Sequence, residues 1–140
     1  MRLGGVGISL DIWVGDWNER GSKLITSFDP EAYYTFLYPL FEDFESISGQ
    51  FIDQYDGARF DPPFLDQVSI LIDQAEELVR QQSEVFDVYM GTCLGAAIEP
   101  RYEEIYESVN REDYLLFLSK WRSAVFKARQ DNKPLFFYGD

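Results

Sequence analysis

The segment between residues 6 and 14 places the strictest constraint on how this chain folds. Apolar side chains occur there at every second position: Val6, Ile8, Leu10, Ile12 and Val14. Successive side chains of a β-strand point to opposite faces, so a period of two predicts a strand with one buried face. Residues 23–28 predict a second strand, and the glycine-containing turn between the two segments makes them the arms of a hairpin. The fold must therefore contain a sheet.

A helix is predicted after this hairpin. Asp29 and Pro30 are typical of a helix start, as cap and first helical residue, and Gly49 is typical of a helix end. Between them, apolar residues recur at spacings of three and four: Tyr33, Leu37, Leu40, Phe44 and Ile47. Pro39 lies inside this pattern. We expect it to kink the helix or split it in two, because proline lacks the backbone donor that would bond Thr35 and clashes with the preceding turn.

The rest of the chain predicts a short strand at Phe51-Ile52, a turn at Asp56-Gly57 and further helices and strands. Asp61-Pro62-Pro63 opens a second helix that runs through Gln82, with an apolar stripe of Phe64, Val68, Leu71, Ala75, Leu78 and Val79. Residues 84–92 predict a strand, 93–97 a turn, and 134–138 a final strand. Residues 100–109 predict a short helix with these residues inward: Tyr102, Ile105, Tyr106 and Val109. Asn110 caps the last helix, whose predicted buried face comprises Tyr114, Phe117, Leu118, Trp121, Val125 and Ala128.

The predicted element order is ββααβααβ. Helices and strands mixed in this way indicate an α/β fold of the α+β type, with a mixed or mostly antiparallel sheet and helices packed against it. At 140 residues the chain has the length of one domain, spanning residues 1–140. No stretch has the length and hydropathy of a signal peptide or a membrane span, so an intracellular location is the expectation.

The composition argues against most familiar catalytic chemistry. The chain has no histidine and a single cysteine, Cys93, which excludes histidine-activated nucleophiles and multi-cysteine zinc sites. We expect Cys93 to be a small buried core residue. Carboxylate pairs remain as candidates for acid–base or metal chemistry, at Asp53 with Asp56 and at Glu103, Glu104 and Glu107, but close pairs arise by chance among 25 acids. The expectation is a protein that is not an enzyme and holds no cofactor.

The charge points to a class of partner. With 12 basic and 25 acidic residues the net charge is −13, a field that repels nucleic acid and anionic membranes and favours a cationic protein. An acidic composition also serves solubility alone. Most of the excess lies between residues 41 and 82, which hold ten acids and two bases, whereas the last helix is basic.

Acids and aromatics interleave inside this acidic third. The loop before the second helix alternates the two types, and the helix carries acids away from its apolar stripe, where a solvated face is the plainer interpretation. Aromatics that anchor and charges that steer are typical of protein interfaces. The predicted partner-binding residues are Asp53, Tyr55, Asp56, Phe60, Asp61, Asp66, Asp73, Glu76 and Glu77. We expect Phe64 to belong to the core.

Two segments carry a family resemblance. One is the Asp-Gly turn shortly before a proline-initiated acidic helix, Asp56-Gly57-Ala58-Arg59-Phe60-Asp61-Pro62, and the other is the closing strand Leu135-Phe136-Phe137-Tyr138 introduced by Lys133-Pro134. With the order of elements, they make the chain similar to small bacterial immunity proteins, which neutralise toxins of polymorphic and contact-dependent systems. The resemblance implies a cytoplasmic, non-enzymatic inhibitor that binds one cognate toxin.

The sequence thus leads to one hypothesis and two alternatives. The hypothesis is a single-domain inhibitor of a basic toxin domain, such as a nuclease, acting by stoichiometric occlusion with acidic groups in place of phosphates. One alternative is an enzyme that uses carboxylates with Mg²⁺ or Ca²⁺. The other is an adaptor or small-ligand module whose aromatics line a pocket. A homodimer is compatible with all three.

Overall fold

The structure, a computed structural model, describes residues 10–15, 22–94 and 102–139, without the side chains of residues 93, 94 and 102. Residues 6–9 of the predicted first strand, residues 95–101 and the burial of the Cys93 side chain lie outside this part. The elements in chain order are β1 (Leu10–Val14), β2 (Lys23–Ser27), α1 (Ala32–Ser48), β3 (Gly57–Phe60), α2 (Leu65–Arg80, after a 3-10 turn at Pro62–Phe64), β4 (Val85–Leu94), β5 (Tyr102–Asn110), α3 (Arg111–Gln130) and β6 (Leu135–Gly139).

The strands form two antiparallel sheets, so the mixed α+β class is confirmed. The larger sheet has the order β2-β1-β6-β3, and the smaller one is the β4–β5 hairpin. The predicted hairpin of β1 and β2 is present, with Asp11 opposite Ser27 and Val14 opposite Lys23. Leu10, Ile12 and Val14 are buried, as their spacing predicts. The final strand β6 inserts between β1 and β3.

Two strands replace elements that the sequence predicted differently. The predicted helix at 100–109 is wrong, because the chain forms β5 there and pairs with β4 from Val85–Asn110 to Leu94–Tyr102. The predicted strand at Phe51-Ile52 is also wrong, since strand structure begins only at Gly57, after the turn that ends at Asp56. Cys93 belongs to β4, so the chain has not yet turned at that residue. The observed order is ββαβαββαβ.

Helix α1 differs from its prediction at its start and at Pro39. It begins at Ala32, and Glu31 rather than Asp29 occupies the cap position. It continues without a break through Pro39 to Gly49, whose φ of 78° ends the helix as predicted. The expected split of the helix at Pro39 is therefore wrong. Pro39 is exposed, whereas Leu37 and Phe41 on either side are fully buried, so packing on both sides of the proline offsets the lost hydrogen bond.

The core lies between the larger sheet and the three helices. Phe28 is its centre, with its ring 5.4 Å from that of Trp121 and 4.7 Å from that of Phe117. All six residues predicted for the inner face of α3 are buried, and the Asn110 side chain accepts a bond of 3.0 Å from the Asp113 backbone N–H as its cap. Tyr114 donates its hydroxyl to the Tyr33 carbonyl, which ties α3 to the start of α1.

Candidate functional site

Three acids of α2 form ion pairs with arginines on the surface of the molecule. Arg129 of α3 lies 2.7 Å from Asp66, and Arg122 of α3 lies 2.8 Å from Asp73. The two helices that the sequence shows as separate acidic and basic segments pack against each other with their charges matched. Since a carboxylate that already holds a guanidinium offers less to a partner, Asp66 and Asp73 are weaker binding candidates than their sequence pattern indicates.

Glu76 is held even more firmly. Its carboxylate receives Arg80 at 2.5 Å and Arg122 at 2.6 Å, and these bonds, that of Arg80 first, lower the pKa of the Glu76 carboxyl against the smaller raising effect of burial. Glu76 therefore serves the contact between α2 and α3. Of the four α2 acids predicted to bind a partner, Glu77 alone has no ion pair among the described residues; it accepts a bond from the Gln81 amide at 3.2 Å.

The two phenylalanines of this region exchange their expected places. Phe60 is fully buried, with its ring 5.6 Å from that of Phe44 and 5.9 Å from that of Phe137, so it is a core residue and the prediction that it binds a partner is wrong. Phe64, expected in the core, is 46% exposed because the 3-10 turn rotates it away from the buried stripe of α2. Asp61 pairs with Arg59 at 3.0 Å.

Asp53, Tyr55 and Asp56 occupy a different setting, the turn between α1 and β3. Asp53 Oδ1 accepts the Tyr55 backbone N–H at 2.7 Å, and the Asp53 carbonyl accepts the Gly57 N–H at 2.9 Å. An aspartate that bonds the backbone two residues on is a regular device for fixing a turn. The turn holds the Tyr55 side chain outward, where it is 62% exposed.

This turn and α1 enclose an aromatic pocket, which we call the tyrosine pocket. It has a volume of about 230 Å³ and is lined by Tyr34, Tyr38, Phe51, Asp53, Gln54 and Tyr55. Tyr38, one helical turn after Tyr34, is 42% exposed and meets the Phe51 ring edge-on at 5.6 Å. Tyr34 is buried and donates to the Ile52 carbonyl at 2.7 Å; burial raises the pKa of its hydroxyl, so it stays a donor. The pocket thus has a rigid floor and an exposed aromatic rim.

A second cavity, the hairpin cleft, lies between the start of α1 and the β4–β5 hairpin. Its volume is about 540 Å³, and it is lined by Asp29, Pro30, Glu31, Thr35, Met90, Ile105, Tyr106 and Glu107. Carboxylates stand at both walls, from the segment before α1 and from β5. The pKa of the nearby Tyr33 hydroxyl is raised, first by burial and then by the negative charges of Asp113, Asp29 and Glu107.

One hydrogen bond joins the two cavities. Gln54 of the tyrosine pocket donates its Nε2 to Glu31 Oε1 of the hairpin cleft at 2.9 Å. We call the joined surface the α1 groove. Among the described residues, no ion pair involves its acids Glu31, Asp53 or Glu107, or the neighbouring Asp56. The acids on the outer side of α1, Glu42, Asp43 and Glu45, also form none within this part of the chain.

The α1 groove is suited to binding a cation. Carboxylates without an internal cation retain their attraction for one from outside, and exposed tyrosine rings add a cation–π surface. In the described part of the chain, no cluster of three or more acids or cysteines is arranged to hold a metal ion. A side chain of lysine or arginine on another protein combines the charge and the apolar stem that this lining fits.

Half of this groove follows from the sequence. The pattern of acids and aromatics indicates Asp53 and Tyr55, with the neighbouring Asp56, but it does not indicate Tyr38, Glu31 or the β5 acid Glu107 as part of the same surface. Tyr34 and Tyr38, spaced by four on α1, were a readable signal for an aromatic wall. The contribution of Glu107 had no such signal, because it depends on β5 being a strand.

Comparison with known proteins adds no relative. Neither the family models, nor the curated proteins, nor the solved structures gave a match to this chain. Among the helices of the described residues, none has both the length and the apolar character needed to cross a membrane.

Proposed function

We propose that this protein is an inhibitor that binds and neutralises a basic toxin domain, and that the α1 groove is its binding surface. One observation carries the proposal: the groove places Glu31, Asp53 and Glu107, which form no ion pair among the described residues, beside exposed tyrosines, whereas three acids of α2 pair with arginines of α3. The α2 acids thus serve the packing of α2 on α3, whereas the acids of the α1 groove can pair with a basic partner.

The physical chemistry of the groove supports a protein partner. Tyrosines supply large contact area with little conformational entropy to lose, which is why they are frequent anchors in interfaces. The tyrosine pocket, at about 230 Å³, has the scale of one inserted side chain. The net charge of −13 would steer a basic partner toward the surface.

The resemblance to immunity proteins suggests that this binding serves to neutralise a toxin. In such a system the chain would occlude the toxin one-to-one, with its carboxylates where a nuclease would hold phosphates. Asp53, Tyr55 and Asp56 remain binding residues in this proposal, joined by Tyr38, Glu31 and Glu107. Asp66, Asp73 and Glu76 hold α2 to α3 instead.

Co-expression tests this function. The protein that the neighbouring gene encodes, which the proposal expects to be a basic toxin, is expressed in a sensitive bacterium with or without the chain. The mass of the purified pair is then measured by light scattering. The proposal predicts restored growth and a complex with one copy of toxin per copy of inhibitor. Unprotected cells together with no complex would refute it.

A matched pair of variants locates the surface. Tyr55→Ala removes an exposed ring from the tyrosine pocket, and Phe126→Ala removes a ring of similar exposure from α3, outside the residues that line the α1 groove. We expect Tyr55→Ala to weaken toxin binding by about tenfold and Phe126→Ala to change it less than about twofold. Equal effects of the two variants would place the interface elsewhere.

A further inference from the structure

The β4–β5 hairpin is a sheet of only two strands, so each of its strands has one edge that the partner strand does not use. Within the described part of the chain, no third strand pairs with either edge. Residues 103–106 and 108 of β5 are all exposed. An open edge of this kind presents a row of backbone donors and acceptors to which another strand can bond.

The ladder of the hairpin shows which backbone groups β5 presents. The Arg111 N–H donates to the Glu84 carbonyl at 2.8 Å, and along an antiparallel ladder the residues that bond the opposite strand alternate with those that do not. The irregularity of this ladder adds a residue to β4 and leaves the alternation along β5 unchanged. Glu104, Tyr106 and Ser108 therefore direct their N–H and C=O groups away from β4.

The charge of the hairpin indicates which kind of strand can pair with this edge. β5 carries Glu103, Glu104 and Glu107, β4 carries Asp87, and neither strand contains a lysine or an arginine. Among the described residues, none of these four acids forms an ion pair. Two such edges repel each other, which disfavours a second copy, whereas a strand that carries lysines or arginines is attracted.

The edge of β5 also borders the α1 groove. Ile105, Tyr106 and Glu107, three consecutive residues of β5, line the hairpin cleft, and Glu31 lines it from the side of α1. Side chains of a strand alternate between its two faces. Every second side chain of a strand added to β5 would therefore lie on the side of the cleft, near carboxylates of both walls, while its backbone bonds the edge.

We propose that β5 binds its partner by strand addition, in which an extended, basic segment pairs with the outer edge of β5 and makes the hairpin a sheet of three strands. The inference rests on the proposed function, because the segment belongs to the basic protein that the α1 groove binds. Backbone bonds supply affinity in this mode, and the alternate side chains supply specificity.

Amide hydrogen exchange of the full chain, followed by NMR, tests the pairing. The probe is a synthetic peptide of alternating lysine and valine at millimolar concentration. A peptide with the same side chains but N-methylated at every residue keeps the charge and cannot form the ladder. We expect the first peptide to slow exchange at Glu104, Tyr106 and Ser108 at least about tenfold, and the second to leave it within about twofold. Equal protection by both peptides, or none at these amides, would overturn the proposal.

Proline variants test the same edge in the complex with the protein that the neighbouring gene encodes. Ser108→Pro removes an outward N–H from β5, Asp87→Pro removes one from β4 at the opposite position of the ladder, and Ser108→Ala keeps the N–H. An edge strand tolerates proline where the missing donor faces solvent, and a urea titration checks the fold of each variant. We expect Ser108→Pro to weaken binding at least about fivefold and the two controls to change it less than about twofold.

The outcomes separate this inference from the proposed function. A complex that Ser108→Pro leaves as tight as the parent overturns strand addition alone, and the α1 groove then binds its partner through side chains. No complex with the parent chain refutes the proposed function and this inference with it.

Discussion

Gln54 donates its side-chain amide to the carboxylate of Glu31 at 2.9 Å, and this bond fastens the turn after α1 to the residue before it. Gln54 is buried, although its sequence neighbours Asp53 and Tyr55 form the rim of the tyrosine pocket. The bond therefore fixes the position of that rim and brings the two cavities of the α1 groove together.

Glu31→Ala tests the structural value of this bond. The change leaves the buried amide of Gln54 without a partner, so the free energy of unfolding should fall by about 1–3 kcal/mol in a urea titration. Glu42→Ala removes an exposed α1 acid that forms no ion pair among the described residues, and it should stay within about 0.5 kcal/mol of the parent. If the two variants are equally stable, the bond does not hold the turn.

We expect the ion pairs of Glu76 to make a contribution to stability that depends on pH. Its pKa is lowered in the folded state by Arg80 and Arg122, so its stabilising effect is present above the pKa of the unfolded chain and is lost as the pH falls through the folded value. Glu76→Gln should therefore lower the free energy of unfolding at pH 7 by about 1 kcal/mol. The difference from the parent should shrink toward zero below about pH 4. A difference that stays constant from pH 7 to pH 3 would contradict the ionic origin.

The start of β3 requires a glycine at position 57. Its φ is 106°, and a Cβ there would lie 2.0 Å from the Phe137 carbonyl oxygen, so Gly57→Ala should cost roughly 3 kcal/mol or more of unfolding free energy. Gly91 in β4 has a φ of 130° but open space around a Cβ. Gly91→Ala carries only the backbone strain, of about 1–2 kcal/mol, and equal losses for the two would exclude the clash as the cause.

We expect the replacement of Pro39 by alanine to stabilise the protein. It is exposed inside a continuous helix, so Pro39→Ala restores a backbone donor and relieves crowding one turn back without touching the core. We expect the free energy of unfolding to rise by about 1–3 kcal/mol, less the added entropy of the unfolded chain. A loss of stability would show that the proline fixes the course of α1.

The elements that periodicity predicts well are those with one buried face and local caps. The buried face of α3 follows from its spacing alone, and its start from Asn110. The β5 strand does not follow, because Tyr102, Ile105, Tyr106 and Val109 fit helical spacing and only pairing with β4 makes them a strand. In that strand Ile105 and Tyr106 point to opposite faces. The residues whose spacing suggested one helical face therefore do not share a face of the strand.

The candidate site was predictable only where it is local. Asp53, Tyr55 and Asp56 lie within four residues of one another, and the turn that joins them is visible in the sequence. The neutralisation of Asp66 and Asp73 is not, because their partners follow them by 63 and 49 positions in the chain. Net charge in a segment thus overstates the charge that a partner meets when helices of opposite sign pack together.

The association rate with the basic toxin domain tests the central claim most directly. Asp53→Asn/Glu107→Gln changes two acids that line the α1 groove, and Asp66→Asn/Asp73→Asn changes two acids that pair with α3 arginines. Each variant removes two negative charges, so the two change the net charge equally. Stopped-flow mixing at low and high salt measures both. The α1 groove predicts that the first variant slows association by about three- to tenfold at low salt, with the difference closing at high salt, while the second changes it less than about twofold. A larger effect from the α2 variant, or equal effects from both, would contradict the account.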